Sequence, residues 1–183
     1  HTPPMAQYIY EHVGEGKAIG FDGRVVNDKL AEAFGNRIKE KQAVMKCDED
    51  LVGLIWQDRP SLPKEKAFSL DIAYCGMGSA EKLEQARAWM KEQSIDVHIV
   101  TSLDDIAWYL NMRGNDIPCY PVVLSYLIIE ATKAQLFVDE TKLDDTLRKQ
   151  FAHDRVEIKP YDSVYEAVAQ IREGLCVALD KSI

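Results

Sequence analysis

A chain of 183 residues with a net charge of −8 and a pI near 5.0 is too acidic to follow a phosphate backbone or to settle on an anionic membrane. Both partners call for clustered Lys and Arg, so neither nucleic acid nor membrane is expected. The length fits one domain, or one domain and part of another, and a compact chain of this size buries about 70% of its unfolded surface, enough to hold a core without disulfides or metal.

In chain order, Pro3 and Pro4 suit the first turn of a helix whose apolar face is Met5, Tyr8 and Ile9, ended by Gly14 and Gly16. Residues 18–22 read as a short strand. Asn27 or Asp28 then caps a helix with Leu30, Phe34 and Ile38 recurring every four residues, and Ala43-Val44-Met45 is a second strand. A helix with a Leu51, Leu54 and Ile55 face is expected over residues 48–57. Residues 58–66 carry Pro60, Pro63 and alternating charges with no periodicity, which is linker chemistry. The expected division is therefore 1–57, a linker at 58–66, and 67–183.

Beyond the linker, Ser79 is placed as the cap of a helix turning Leu83, Ala86, Trp89 and Met90 inward. Residues 95–100 alternate as a strand does. Ser102 caps a helix with Ile106 and Leu110 on one face, widened by Trp108 and Tyr109. Arg113-Gly114-Asn115-Asp116 reads as a polar tight turn, since Gly and Asn accept positive φ at low cost. Pro118 and Pro121 stop further helix, so residues 122–130 become a strand, joined through 131–134 to another at 135–139. Leu143, Leu147 and Phe151 mark a helix, and residues 156–158 a strand. Ser163 and Glu166 form a capping box for a helix with Val164, Val168 and Ile171 inward, and residues 175–179 are a last strand. Helices alternating with strands around one hairpin imply an α/β fold, a mixed β-sheet with helices on both faces.

Cys47, Cys75, Cys119 and Cys176 are scattered with no Cys-x-x-Cys spacing, and are expected as reduced, mostly buried thiols of a cytoplasmic protein. His98, His153 and His12 are lone and read as structural or exposed, since a metal site needs three or four convergent ligands. Asp104-Asp105 and Asp144-Asp145 fall in first helical turns, where carboxylates favour the dipole. No apolar run approaches the roughly 20 residues of a membrane span, and the N-terminus has no signal-peptide order. The first residues, His1-Thr2-Pro3-Pro4, lack an initiator Met and read as the start of a piece of a longer polypeptide.

Three stretches together resemble the multi-domain aminopeptidase P group of the creatinase/prolidase peptidases. These are residues 50–60, with Ile55-Trp56 and Arg59-Pro60; residues 80–83, opening a helix; and Asp105-Ile106-Ala107-Trp108 with Asn111-Met112-Arg113-Gly114-Asn115-Asp116 and Pro121-Val122. Departures are Met112 for the family's Leu, Asn115 for its Ser, and Tyr120 where Asn commonly precedes the proline. The resemblance implies a creatinase/prolidase N-terminal domain, ribonuclease H-like, preceded by part of a similar domain. It also implies a parent that removes an N-terminal residue preceding proline with two divalent ions, manganese, held in a C-terminal catalytic domain. This region would then hold neither metal nor catalytic residue. Its partners would be that catalytic domain, a second copy in a homodimer, and a peptide with proline second.

Arg113, with Asn115 and Asp116, is the candidate site. In such relatives the non-catalytic domains narrow the substrate entrance, and an Arg fork suits a peptide carboxylate. Arg113 could instead pair with Asp116 or Asp105 and stiffen the turn. A reading from another class is a free-standing α/β module binding a peptide or small metabolite at this turn.

Overall fold

The computed structural model describes residues 2–182 and divides into two compact units, one running to Ser61 and joined by Lys181 and Ser182, the other Leu62–Asp180. The smaller unit holds α1 (Met5–His12), β1 (Ala18–Gly20), α2 (Asp28–Ile38), β2 (Val44–Lys46) and α3 (Leu51–Ile55). Asn27 caps α2, its side-chain oxygen accepting from Leu30 N at 2.9 Å, and the four-residue repeat buries Phe34 and Ile38. β1 and β2 run parallel with Ala18 opposite Val44. α3 covers only five residues of the expected 48–57, and its Leu51, Leu54 and Ile55 are exposed rather than buried.

The larger unit contains β3 (Phe68–Ser69), α4 (Ile72–Cys75), α5 (Ser79–Glu92), β4 (Val97–Val100), α6 (Leu103–Leu110), β5 (Met112–Arg113), β6 (Ser125–Glu130), β7 (Ala134–Val138), α7 (Asp145–His153), β8 (Val156–Lys159), α8 (Val164–Ala169) and β9 (Val177–Ala178). Five strands form one mixed sheet in the order β8-β7-β6-β4-β9. The β6–β7 and β6–β4 pairs are antiparallel, and the outer pairs β7–β8 and β4–β9 are parallel. β3 pairs separately with β5, antiparallel, with Phe68 opposite Arg113.

Both sheet faces are covered, which is why Leu127-Ile128-Ile129 in β6 is apolar without alternation. Leu127 and Ile129 join Leu136 and Val138 in one cluster with Leu83 and Met90 of α5, Ile106 and Leu110 of α6, and Leu147 and Phe151 of α7. Ile128 and Phe137 turn the other way, toward Val97, Ile99 and Val164 of α8.

Several local expectations are corrected. Ser79 is the first helical residue after Gly78, not the cap, and its hydroxyl donates to the Asp154 carboxylate beyond α7. Ser163 makes no capping box: a 3-10 turn over Tyr161–Ser163 already holds its backbone helical, and its hydroxyl donates to Pro160 O at 2.7 Å. Trp89, Trp108 and Val168 are exposed, because each lies at the margin of its helix's apolar stripe. The cysteines are free, but Cys47, Cys119 and Cys176 are exposed and only Cys75 is partly covered. No helix among the described residues is long and apolar enough to cross a membrane.

Candidate functional site

The predicted site lies just past the C-terminal end of α6. Ser102 starts that helix, accepting from Asp105 N at 3.4 Å, and Asn111 ends it in the left-handed region at φ 48°. The positive φ expected of the turn therefore falls on Asn111, while Met112 and Arg113 continue as β5. Gly114 sits where the chain folds back on itself: a Cβ there would meet Val123 Cγ2 at 2.6 Å, so a larger residue would have to displace Val123. The reversal itself comes later, at Ile117–Tyr120, with Cys119 at φ 62°.

A helix of this length leaves its last carbonyls without internal partners. Here side chains supply them. Arg113 Nη1 donates to Ala107 O, and to its neighbour Met112 O at 3.0 Å. Lys82 Nζ donates to Trp108 O at 2.8 Å and to Asn111 Oδ1 at 2.6 Å, and lies 4.5 Å from the centre of the Trp108 ring. Gln150 Nε2 donates to Leu110 O at 2.7 Å. Two cations and an amide thus close the negative end of the α6 dipole. Burial pushes the Lys82 ammonium below the ordinary lysine value, and the Arg113 charge pushes it the same way.

Asp116 does something different from what its place in the sequence suggests. Its carboxylate is buried, accepting from Lys142 Nζ at 2.5 Å and from Leu124 N at 2.7 Å. Its second oxygen, Oδ1, is sealed from solvent with no hydrogen-bond partner among the described residues. Asn115, between these two anchored neighbours, is exposed. The three predicted residues are thus adjacent in space but serve three environments, and the Arg113–Asp116 pairing weighed above is replaced by Asp116–Lys142. Tyr120 joins the region by donating its hydroxyl to Asp104, and this hydrogen bond holds the phenol proton above its usual range.

Lys142 also lines a cavity of about 550 Å³ at the carboxyl ends of the parallel strands β7 and β8, walled by Leu62, Leu124, Val138 and Tyr161. Crevices at such strand ends are where α/β sheets commonly take ligands. Sequence reasoning missed Lys82, Lys142 and Gln150. Their only sequence signal was a polar residue at a core-facing helical or 3-10 position. Among the described residues no three or more His, Cys, Asp or Glu side chains converge as metal ligands would. His98 packs edge-on against Trp89 and Tyr109, at 5.5 and 6.5 Å between ring centres.

Residues 58–182 match the Creatinase/Prolidase N-terminal domain family, and the chain belongs to that family. Among curated relatives, the probable Xaa-Pro aminopeptidase P of Pyrenophora teres f. teres is 34% identical over 183 residues, covering 99% of this chain and 28% of the relative. Xaa-Pro aminopeptidase 1 of Dictyostelium discoideum is 37% identical, covering 90% of this chain and 27% of the relative. The crystal structure of X-prolyl aminopeptidase from Caenorhabditis elegans, described as a cytosolic enzyme with a di-nuclear active site, superposes with a TM-score of 0.86. It is 31% identical, over 92% of this chain and 28% of that one. The chain therefore spans little more than a quarter of the length of these relatives.

Proposed function

We propose that this chain is a non-catalytic N-terminal region of a cytosolic Xaa-Pro aminopeptidase. Its parent hydrolyses the bond between an N-terminal residue and proline, with two divalent ions, manganese, held in a C-terminal catalytic domain. The region packs against that domain, narrows the substrate entrance and supports a homodimer. Arg113 and Asn115 face the incoming peptide in this reading, and Asp116 holds their backbone in place. The observation that carries it is the alignment of 99% of this chain with only 28% of a probable Xaa-Pro aminopeptidase P.

The test is direct. The purified chain, incubated with the tripeptide Arg-Pro-Pro and manganese, should release no arginine. Turnover by the chain alone overturns the reading.

A second reading, a free-standing module for a peptide or small metabolite, is favoured by the cavity of about 550 Å³ above Lys142. Titration with proline-containing peptides separates the two: micromolar binding by the isolated chain supports the module, and millimolar or weaker binding supports the accessory role.

A further inference from the structure

An arginine is seldom buried unless its guanidinium is fully paired, because a desolvated N–H that finds no acceptor costs free energy. Arg87 of α5 meets that condition only in part. Its side chain is 10% exposed. Nε donates to Glu130 O, at the end of β6, at 3.0 Å, and Nη1 donates to Glu84 Oε1 at 2.7 Å. Nη2 is sealed from solvent with no hydrogen-bond partner among the described residues. Glu84 thus takes one tooth of a fork that suits a two-oxygen acceptor. It does so from the surface: its side chain is 72% exposed, and a pair of that kind holds weakly.

The same guanidinium lines a cavity of about 720 Å³ between the end of α5 and the β6–β7 turn, a volume in the range of small-molecule sites. Lys91, one helical turn after Arg87, adds a second cation to its wall. Met90, buried, and Ile95, half-buried, give it an apolar side. Asp96 adds a carboxylate whose Oδ2 accepts from Cys176 N at 2.8 Å, which leaves Oδ1 open.

We propose that this cavity binds a free α-amino acid with an apolar side chain. The ligand carboxylate displaces the exposed Glu84 side chain and spans Nη1 and Nη2 of Arg87, with Lys91 beside it. The ligand ammonium pairs with Asp96, and the ligand side chain lies on Met90 and Ile95. Glu84 and Asp96 repel an anion that brings no positive charge of its own, so a zwitterion is favoured over a simple carboxylate. None of these residues belongs to the Arg113 turn, and the inference goes beyond both readings of function given above.

Amide spectra of the isotope-labelled full chain, titrated with L-leucine, test this. Ser94 and Ala131, which line the cavity, should shift and saturate with a Kd of roughly 0.1–5 mM, ordinary for so small a ligand. 4-Methylpentanoate, which lacks the ammonium, should bind about 10-fold more weakly, and leucinamide, which lacks the carboxylate, should not saturate. Asp96→Asn should erase the preference for leucine over 4-methylpentanoate. Arg87→Lys keeps a donor for Glu130 O but not the fork, and should weaken leucine by about 10-fold. Glu84→Ala, at an exposed position, should leave the circular dichroism unchanged and tighten leucine about 3-fold to 10-fold, because the competing carboxylate is gone. An Arg87 that only ties α5 to the end of β6 would not give that gain. No shift at Ser94 and Ala131 up to about 20 mM leucine, equal binding of leucine and leucinamide, or binding unchanged or weakened by Glu84→Ala would each overturn the proposal.

Discussion

Lys142 and Asp116, 26 residues apart, form an ion pair of 2.5 Å with side chains only 3% and 1% exposed. Taking two charges out of water is expensive, and their attraction offsets the cost only while both are present. Asp116→Ala should therefore leave the Lys142 ammonium stranded and destabilise the larger unit by about 3–5 kcal/mol. Asp116→Asn keeps an acceptor for Leu124 N and should cost less. The paired change Asp116→Leu with Lys142→Met should recover most of the loss, to within about 2 kcal/mol of the parent. Urea denaturation of the four proteins checks the order. Equal losses in single and double variants would mean that the pair is not a unit.

Lys82 predicts a pH dependence of opposite sign to the common lysine case. Burial lowers its pKa in the folded chain below the ordinary 10.5, so between those two values the unfolded chain holds more protons than the folded one. Stability therefore rises with pH across that window, as the folded ammonium is relieved of its desolvated charge. Lys82→Met removes the effect. It also removes two hydrogen bonds to Trp108 O and Asn111 Oδ1, at a cost of about 1–3 kcal/mol near neutrality. Denaturation of both proteins from pH 8 upward checks this: the advantage of the parent over the variant should grow with pH toward the ordinary lysine value.

What could be read in advance follows the range of the forces involved. α2 and α7 were legible because Leu30, Phe34 and Ile38, and then Leu143, Leu147 and Phe151, repeat at helical spacing. The Asn27 and Ser102 caps were legible because they act within three residues. The role of Asp116 was not, because the group that draws it inward lies on a turn 26 residues later. The carbonyl end of α6 likewise recruits Lys82 and Gln150 from other helices, and no local pattern reports that. Arg113 could be singled out by its chemistry, but its bonds to Ala107 O and Met112 O could not be foreseen.

The four thiols should separate by reactivity. Cys47, Cys119 and Cys176 are exposed, whereas Cys75 is half-buried, with its sulfur 3.3 Å from Asp71 O and 3.7 Å from Leu70 O. Access controls such reactions as much as acidity does. The native chain should thus show three fast equivalents with a disulfide reagent and a fourth released only on unfolding, and mass mapping should place the slow one at Cys75. Fast labelling of Cys75 would mean that α4 opens readily.

Arg113 allows its two roles to be measured apart. As a donor to the α6 carbonyls it should contribute about 1–2 kcal/mol, and Arg113→Lys should keep part of this because an ammonium still reaches a carbonyl. As a carboxylate receptor it should discriminate by the ligand's terminus. A tripeptide acid with proline second should then bind about 10-fold more tightly than its amide, and that ratio should collapse to one in both Arg113→Ala and Arg113→Lys, which lacks the bidentate fork. Fluorescence titration reports the ratio, through Trp108 in the helix that Arg113 caps. If stability falls while acid and amide bind alike in the parent, Arg113 closes a helix and does nothing for the peptide. If the ratio is present and lost on substitution, the same guanidinium that holds the end of α6 also reads the substrate, and Asn115, the exposed residue beside it, becomes the next position to change.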